Sequence, residues 1–315
     1  MGIKSLIKSK KVRQGILRAL RRVPGRVMLP LQYYAVLGRF PNIRKPRRFT
    51  EWVNWYKLYW HDPAMLPLTD KLKVRDYVAK KIGEEYLVPL LDVQRDAADI
   101  DFSSMPDGIV LKTTDGGNGD NVRVVSNRQS ADMKAIVKEV NSWRDKCYAD
   151  YSREWAYRGC DSKVIVEPLL VDPDSADGSI DDYKLLCFNG KFRIMWVDKN
   201  RYSDHRRGFW DENLKFLNDV RSDCPTFEEE PKLPANVADM VPLAEKLAEG
   251  FPFARIDFYN IRGKIYFGEI TFYPWSGYVQ YTPDEFDFRL GSYFDRDLLE
   301  KTPPGPVTNP PSFPK

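Results

Sequence analysis

The sequence predicts an α+β fold: two α+β subdomains set behind a basic, helical N-terminal segment. Three observations predict it. Strand–turn–strand patterns occur around residues 108–125, 182–201 and 253–272, and apolar residues recur at helical spacing around 49–60, 69–82, 133–143 and 236–250. A chain of 315 residues is too long for one small core, so two or three subdomains follow. Residues 1–48 hold 14 of the 49 lysines and arginines and none of the 45 acidic residues, which leaves the rest of the chain with a net charge of −10.

That basic segment, residues 1–48, comes first. Ile3, Leu6, Ile7, Ile16, Leu17 and Leu20 recur at roughly helical spacing among its lysines and arginines. Such a stretch suits an anionic membrane or a polyanion, and equally a solvated helix packed on the body. No apolar run reaches membrane-spanning length and no small-residue cleavage site follows, so neither a signal peptide nor a membrane span is predicted. Leu6 stands where N-myristoylation needs Ser or Thr. Cys147, Cys160, Cys187 and Cys224 show no C-x-x-C spacing, so neither a zinc site nor a disulfide framework is indicated. That fits a cytoplasmic protein, placed by its basic segment at the inner face of the membrane if anything. His61 and His205 are each expected at the surface.

Residues 49–107 form the first subdomain. Phe49, Trp52, Tyr56, Tyr59 and Trp60 have helical spacing, with Thr50 as N-cap and Glu51 in the first turn. The aromatic stripe reads as core-facing, the alternative being a stacking surface for sugars or bases. A second helix is expected from Thr69 to Ile82, stopped by Gly83, and a short strand from Tyr86 to Leu91.

Residues 108–170 form the second. In GIVLKTTDGGNGDNVRVV a strand ends in Lys112 and a loop carries Gly116, Gly117 and Gly119. Glycines let backbone N–H groups approach a phosphate closely and the lysine adds countercharge, although most glycine-rich hairpin loops bind nothing. The lysine precedes the glycines and strands flank both sides, so this is not a Walker loop. Ser130 is the expected cap of a helix carrying Met133, Ile136, Val137, Val140 and Trp143. The strand Lys163–Leu170 ends at Glu167 and a short apolar turn.

Residues 171–300 form the third, and a tail follows at 301–315. Asp172–Asp182 reads as an exposed loop. Asn189-Gly190 marks the strongest hairpin signal, with Lys184 and Arg201 toward its outer ends. Asn236 is expected to cap a helix that Gly250 closes. In the stretch Phe253–Gly277, FARIDFYNIRGKIYFGEITFYPWSG, Arg255 shares a strand face with Asp257, and Glu269 with Thr271. If odd positions pair with odd, all four converge. Two carboxylates, an arginine and a hydroxyl on strands suit Mg²⁺ with a phosphate or oxyanion opposite, the alternative being a partly buried ion-pair patch. Six prolines in the last 14 residues mark a polyproline-like or disordered tail.

In this order, DKLKVRDYV, IVLKTTDGGNG, REWAYR, VIVEPLL, DYKLLCFNGK and RIDFYN followed by GKIYFGEITFYP resemble the ATP-grasp superfamily, and within it the TupA-like family of surface-polysaccharide biosynthesis. The resemblance runs from about Phe49 to Tyr293. It implies an ATP-grasp fold whose subdomains clasp ATP. It also implies that Lys71 and Lys112 grip the nucleotide phosphates under the loop Gly116, Gly117 and Gly119, and that Glu167 and Pro168–Leu170, with Leu169, form the adenine hinge. Asp257 and Glu269 would hold Mg²⁺ and Arg255 would steady an oxyanion, with Lys184 reaching the γ-phosphate. Thr271 stands where many ATP-grasp enzymes have Asn, which weakens a second metal site.

The implied activity is an ATP-dependent amidoligase. Its substrates would be an amino acid or amine and a uronic-acid glycan of capsule or cell wall, or a lipid-linked precursor, joined through an acyl phosphate. Nucleic acid is not an expected partner. Two other readings remain: a glycosyltransferase using Asp172-Pro173-Asp174, and a non-catalytic polyanion-binding protein using the basic N-terminus.

Overall fold

The computed structural model describes residues 10–117, 121–144, 148–158, 161–175, 178–201 and 203–301. Its helices are α1 (Lys10–Ala19), α2 (Gly25–Leu37), α3 (Phe49–Tyr59), α4 (Met65–Leu68), α5 (Val74–Lys81), α6 (Met133–Asn141), α7 (Ala149–Ser152), α8 (Met240–Ala248), α9 (Glu285–Ser292) and α10 (Arg296–Lys301). Its strands are β1 (Asp92–Gln94), β2 (Ile109–Thr113), β3 (Val122–Val125), β4 (Val164–Pro168), β5 (Asp182–Phe188), β6 (Lys191–Lys199), β7 (Arg206–Trp210), β8 (Phe253–Ile261) and β9 (Lys264–Thr271). They form two antiparallel sheets, ordered β1-β4-β2-β3 and β7-β6-β5-β8-β9. None of the described helices is long and apolar enough to cross a membrane.

Each sheet has its own core. Ile109, Leu111, Val164 and Val166 of the four-stranded sheet pack with Ile136 and Val140 of α6. The larger core lies on the five-stranded sheet, where Leu185, Ile194, Phe253 and Ile256 meet α8 and the aromatic face of α3. Phe49, Trp52, Trp55, Tyr56 and Trp60 are all buried there, so the aromatic stripe is core rather than a stacking surface.

Turn chemistry fixes both hairpins. Asn189 and Gly190 take left-handed φ of 52° and 73°, and Arg262 and Gly263 take 52° and 86°. Both are two-residue turns whose twist matches the strands they join. The turn register, Ile261 opposite Lys264 through Phe258 opposite Phe267, pairs odd positions with even, and a one-residue shift then sets Asp257 opposite Glu269 and Arg255 opposite Thr271. Odd pairs with odd only beyond the bulge at Asp257/Phe258, which is what brings the four side chains to one face.

Helix starts differ from expectation by a residue or more. Thr50 does not cap α3, which begins after Arg48. The Glu51 carboxylate instead accepts from the Arg48 amide at 3.1 Å and the Arg47 amide at 2.9 Å, and Thr50 is spent on Asp287. Asp132, not Ser130, caps α6 by accepting from the Ala135 amide at 3.0 Å. Asp70 accepts from the Leu72 and Lys73 amides, so residues 69–73 form a turn and the helix begins only at Val74. The strand expected at Tyr86–Leu91 is displaced to Asp92–Gln94, because a 3₁₀ turn fills Glu84–Tyr86. Asn236 is no side-chain cap; it donates to the Gly263 carbonyl at 2.8 Å and accepts from Asn260 at 2.9 Å, tying α8 to the β8–β9 turn. Ile3, Leu6, Ile7, Cys147, Cys160, Gly119 and the proline-rich tail from residue 302 lie outside the described residues.

The basic segment is docked on the body. Arg153 donates to the Val23 and Leu20 carbonyls, each at 2.7 Å, and the Tyr33 and Thr50 hydroxyls lie 2.8 Å apart. Asp287 of α9 closes this contact, accepting from the Thr50 amide at 3.0 Å and its hydroxyl at 2.7 Å. Beside it, a Cβ on Gly291 would sit 2.1 Å from the Arg47 carbonyl oxygen. Alanine in place of a helical glycine gains about 1 kcal/mol of propensity, but overpacking against backbone costs about 1–3 kcal/mol. Gly291→Ala is therefore expected to lower Tm, and a Tm raised by the substitution would refute this close packing.

Candidate functional site

The face of the five-stranded sheet that carries Lys184, Asp257 and Glu269 holds a continuous charged network. Lys184 of β5 lies opposite Asp257 of β8, which lies opposite Glu269 of β9. Arg255 binds Asp257 with two bonds, Nε to Oδ1 at 2.7 Å and Nη2 to Oδ2 at 2.6 Å. Its Nη2 also donates to Glu269 Oε1 at 2.6 Å and to Thr271 Oγ1 at 3.0 Å, and Thr271 in turn donates to Glu269 at 3.0 Å. Lys184 Nζ donates to Asp257 Oδ2 at 2.9 Å and pairs with Asp182. The sequence therefore brings Arg255, Asp257, Glu269, Thr271 and Lys184 together. Lys184 lies two residues in from the open end of its hairpin and is nonetheless buried, because β5 is the central strand of the sheet.

Burial and charge set the protonation states. Burial would raise Glu269, but Arg255, Lys184 and Lys71 overcome it and hold the carboxyl at about 2. Burial pushes Asp257 up, against the pull of Arg255 and Lys184 and with the help of the Glu269 and Asp182 carboxylates. Burial also works against the Arg255 charge, yet Asp257 and Glu269 leave the guanidinium more basic than usual. Asp257 is 2% exposed while the Glu269 side chain is 43% exposed, so Glu269 is the open edge of the cluster.

The network continues through residues that sequence reading missed. Asp182 accepts from Arg201 at 2.8 Å. Asp198, opposite Asp182, takes Arg207 Nε at 2.6 Å and lies 3.0 Å from His205 Nε2. Trp196, opposite Lys184, lies under Arg255 at 5.2 Å and stacks on Trp275 at 4.5 Å. Alternation within β5 and β6 was the available signal, since Asp182 shares a face with Lys184 and Asp198 with Trp196. The histidines are not bare surface groups: His205 serves Asp198, and His61 stacks on Trp155 and lies 3.0 Å from the Lys57 carbonyl.

The four-stranded sheet supplies a second set. Lys71 sits in the turn before α5, where its amide donates to the Thr114 carbonyl at 3.0 Å and its ammonium donates to the Gly116 carbonyl. Burial lowers its pKa, and Glu269 is the strongest charge opposing that. Lys71 is thus bonded to the glycine loop and attracted electrostatically to Glu269. Gly117 leaves room for the Tyr148 ring, which a Cβ would approach to 2.9 Å. Lys112 Nζ donates to Glu167 Oε2 at 2.5 Å, and Arg75 reaches Oε1 at 3.5 Å. The Leu169 amide donates to the Gly108 carbonyl at 2.9 Å.

Magnesium fits this donor set. It binds through one or two carboxylates and completes its shell with phosphate oxygens and water, rather than in an all-protein cage. Asp257 and Glu269 are such a pair, and among the described residues no group of three or more His, Cys, Asp or Glu forms a metal cage.

A family model described as TupA-like ATPgrasp matches residues 51–295. Comparison with curated proteins gives no match. Among solved structures, the chain is similar to D-alanine–D-alanine ligase from Bacillus anthracis, at 18% identity and a TM-score of 0.42, over 69% of this chain and 62% of that one. It is similar to the D-alanine–D-alanine ligase of Helicobacter pylori at 14% identity and 0.45, over 82% and 66%. Similarity to N5-carboxyaminoimidazole synthetase from Staphylococcus aureus stands at 14% and 0.39, over 65% and 44%. The chain thus spans less than two thirds of the length of these proteins.

Proposed function

This chain belongs to the TupA-like ATP-grasp family, and from that premise we propose that it is an ATP- and Mg²⁺-dependent carboxylate–amine ligase. Its substrates are an amino acid or amine and a uronic-acid-bearing glycan of the cell envelope, or the lipid-linked precursor of one. One observation carries the reading. Arg255, Asp257, Glu269 and Lys184 converge on adjacent strands, with Lys71 bonded to the glycine loop and attracted electrostatically to Glu269.

Phosphoryl transfer needs positioning and charge neutralisation more than covalent groups from the protein. A substrate carboxylate oxygen attacks the γ-phosphorus, the bond to ADP breaks, and an acyl phosphate forms. The amine then attacks the acyl carbon, phosphate leaves, and the amine gives up a proton. Lys71 and Lys112 hold nucleotide phosphates beneath Gly116 and Gly117, while Glu167 and Leu169 border the ribose and adenine. Arg255 faces the oxyanion of the tetrahedral intermediate. Asp257 and Glu269 hold Mg²⁺, with Thr271 orienting Glu269; when bound, the ion neutralises phosphate charge. Lys184 fixes Asp257 in place and lies within the same cluster.

The glycosyltransferase reading gains nothing from Asp172-Pro173-Asp174. Arg262 of the β8–β9 turn binds Asp174 at 2.8 and 3.0 Å, and Asp172 accepts from the Asp174 amide at 3.0 Å, so both carboxylates already have partners. The test is an assay of Mg-ATP with a panel of amino acids and uronic acids or uronate oligosaccharides. ADP and phosphate are expected only when both substrates are present, together with the mass of a new amide. AMP and pyrophosphate would refute the acyl phosphate, and nucleotide-sugar turnover with ATP untouched would refute the ligase.

A further inference from the structure

The docked N-terminal helices turn apolar faces outward. In α2, Leu29 and Tyr33 are buried toward α3 and Tyr278, while Val27, Leu31 and Tyr34 emerge on the opposite side of the helix. Phe40, 63% exposed, stacks on Tyr34 with ring centroids 4.6 Å apart. In α1 the exposed positions include Gly15, Ile16 and Ala19, and Leu20 follows at its end, again without a charge among them. Ile16, Leu20, Val27, Leu31, Tyr34 and Phe40 are six of the ten large apolar side chains exposed among the described residues, so exposure of this kind is concentrated here. Arg21, Arg22 and Arg26 are exposed at the junction of the two helices, and no acidic residue occurs anywhere in residues 1–48.

We propose that this face docks the protein on an anionic lipid bilayer, the apolar side chains entering the headgroup boundary and the arginines meeting lipid phosphates. Charge and polarity together select that occupant. A second copy of the same face would oppose arginines to arginines with no acid to relieve them. A soluble polyanion would use the arginines but gain nothing from exposed Ile, Leu, Val and Phe. A bilayer with anionic headgroups uses both, each basic residue contributing electrostatically and each apolar side chain by transfer out of water. The inference stands apart from the ligase reading, because none of these residues belongs to the charged network of the five-stranded sheet.

The test uses the full chain with vesicles of phosphatidylcholine alone and vesicles containing one third phosphatidylglycerol, read by co-sedimentation. Binding is expected only to the anionic vesicles, and is expected to weaken with salt and in Arg21→Gln/Arg22→Gln. The Ile16→Asp/Leu31→Asp double variant should keep the wild-type Tm, since both positions are exposed, and lose about 100-fold in partitioning, the effect of withdrawing two large apolar side chains from lipid. Equal binding to neutral vesicles, or wild-type binding by the double aspartate variant, would overturn the proposal. So would a soluble polyuronate that binds wild type and variant alike while vesicles do not. A solution dimer that the double variant splits, again without vesicle binding, would assign the face to a second copy instead.

Discussion

Glu269→Gln is expected to abolish Mg²⁺-dependent ATP turnover while leaving the fold intact. On the ligase reading, the substitution removes one of the two carboxylates that would hold the ion. Metal stabilisation of transferring phosphoryl charge amounts to several kcal/mol, and each 1.36 kcal/mol is tenfold in rate, so a loss of roughly a thousandfold or more is expected. Glu269 is the clean position for this test because its side chain is 43% exposed and the isosteric amide still accepts from Thr271 and Arg255. Asp257→Asn should match the loss in turnover but also cost stability, since it leaves Arg255 and Lys184 less neutralised in a buried setting. Turnover by steady-state phosphate release and fold by circular dichroism decide it: wild-type rates in both variants would remove these residues from the site. The same carboxyl predicts an acid limit. Glu269 is held at about 2, below its usual 4.5, so its contribution to stability is fully present above about pH 4.5 and is lost as pH falls toward 2. In Glu269→Gln that part of the acid transition should vanish.

Arg255→Ala should be the most damaging single change, because it acts on stability and on chemistry at once. The guanidinium binds Asp257, Glu269 and Thr271 together. Without it, Asp257 keeps only Lys184 as a cationic partner among the bonds described, with Asp182 and Glu269 nearby. Breaking a buried ion pair from one side costs about 3–5 kcal/mol, and loss of a preorganised oxyanion donor costs about 10²–10³ in kcat. Arg255→Lys separates the two effects. A single ammonium restores charge but cannot make the two-bond contact with Asp257, so Tm should recover in part while kcat stays low. Wild-type amide formation in Arg255→Ala would dismiss the oxyanion role whatever happens to Tm.

What the sequence made legible was local. Arg255 could be placed beside Asp257, and Glu269 beside Thr271, by strand alternation, but the two-residue turn alone would set Asp257 opposite Gly268, and the bulge that joins the two pairs has no clear local signal. Asp182 lies opposite Asp198 in the β5–β6 hairpin, but their joining the Arg255 cluster depends on β5 pairing β8 some seventy residues away, which no local pattern encodes. Caps slipped for a related reason. Thr50 and Ser130 are good N-caps by type, but Thr50 is claimed by Asp287, far along the chain, while Asp132 is equally good by type and lies two residues nearer its helix. Lys71 was found by resemblance alone. It lies in a turn, and its contacts with Thr114 and Gly116 are tertiary.

Arg255 and Lys184 are the counterions of their own site. On the ligase reading an arriving magnesium nucleotide would not fill a bare charged hole; it would exchange partners with an ion lattice already neutralised and open at Glu269. Asp257 and Glu269 would offer carboxylate oxygens to the ion, and Arg255 and Lys184 would be left to face the phosphates. Either component alone would break the lattice without completing another. A free polyphosphate would leave two carboxylates stripped of cations, and free Mg²⁺ would leave an arginine and a lysine stranded in a dry setting where an unmatched charge is costly. On this reading the two would be recognised as one neutralised unit.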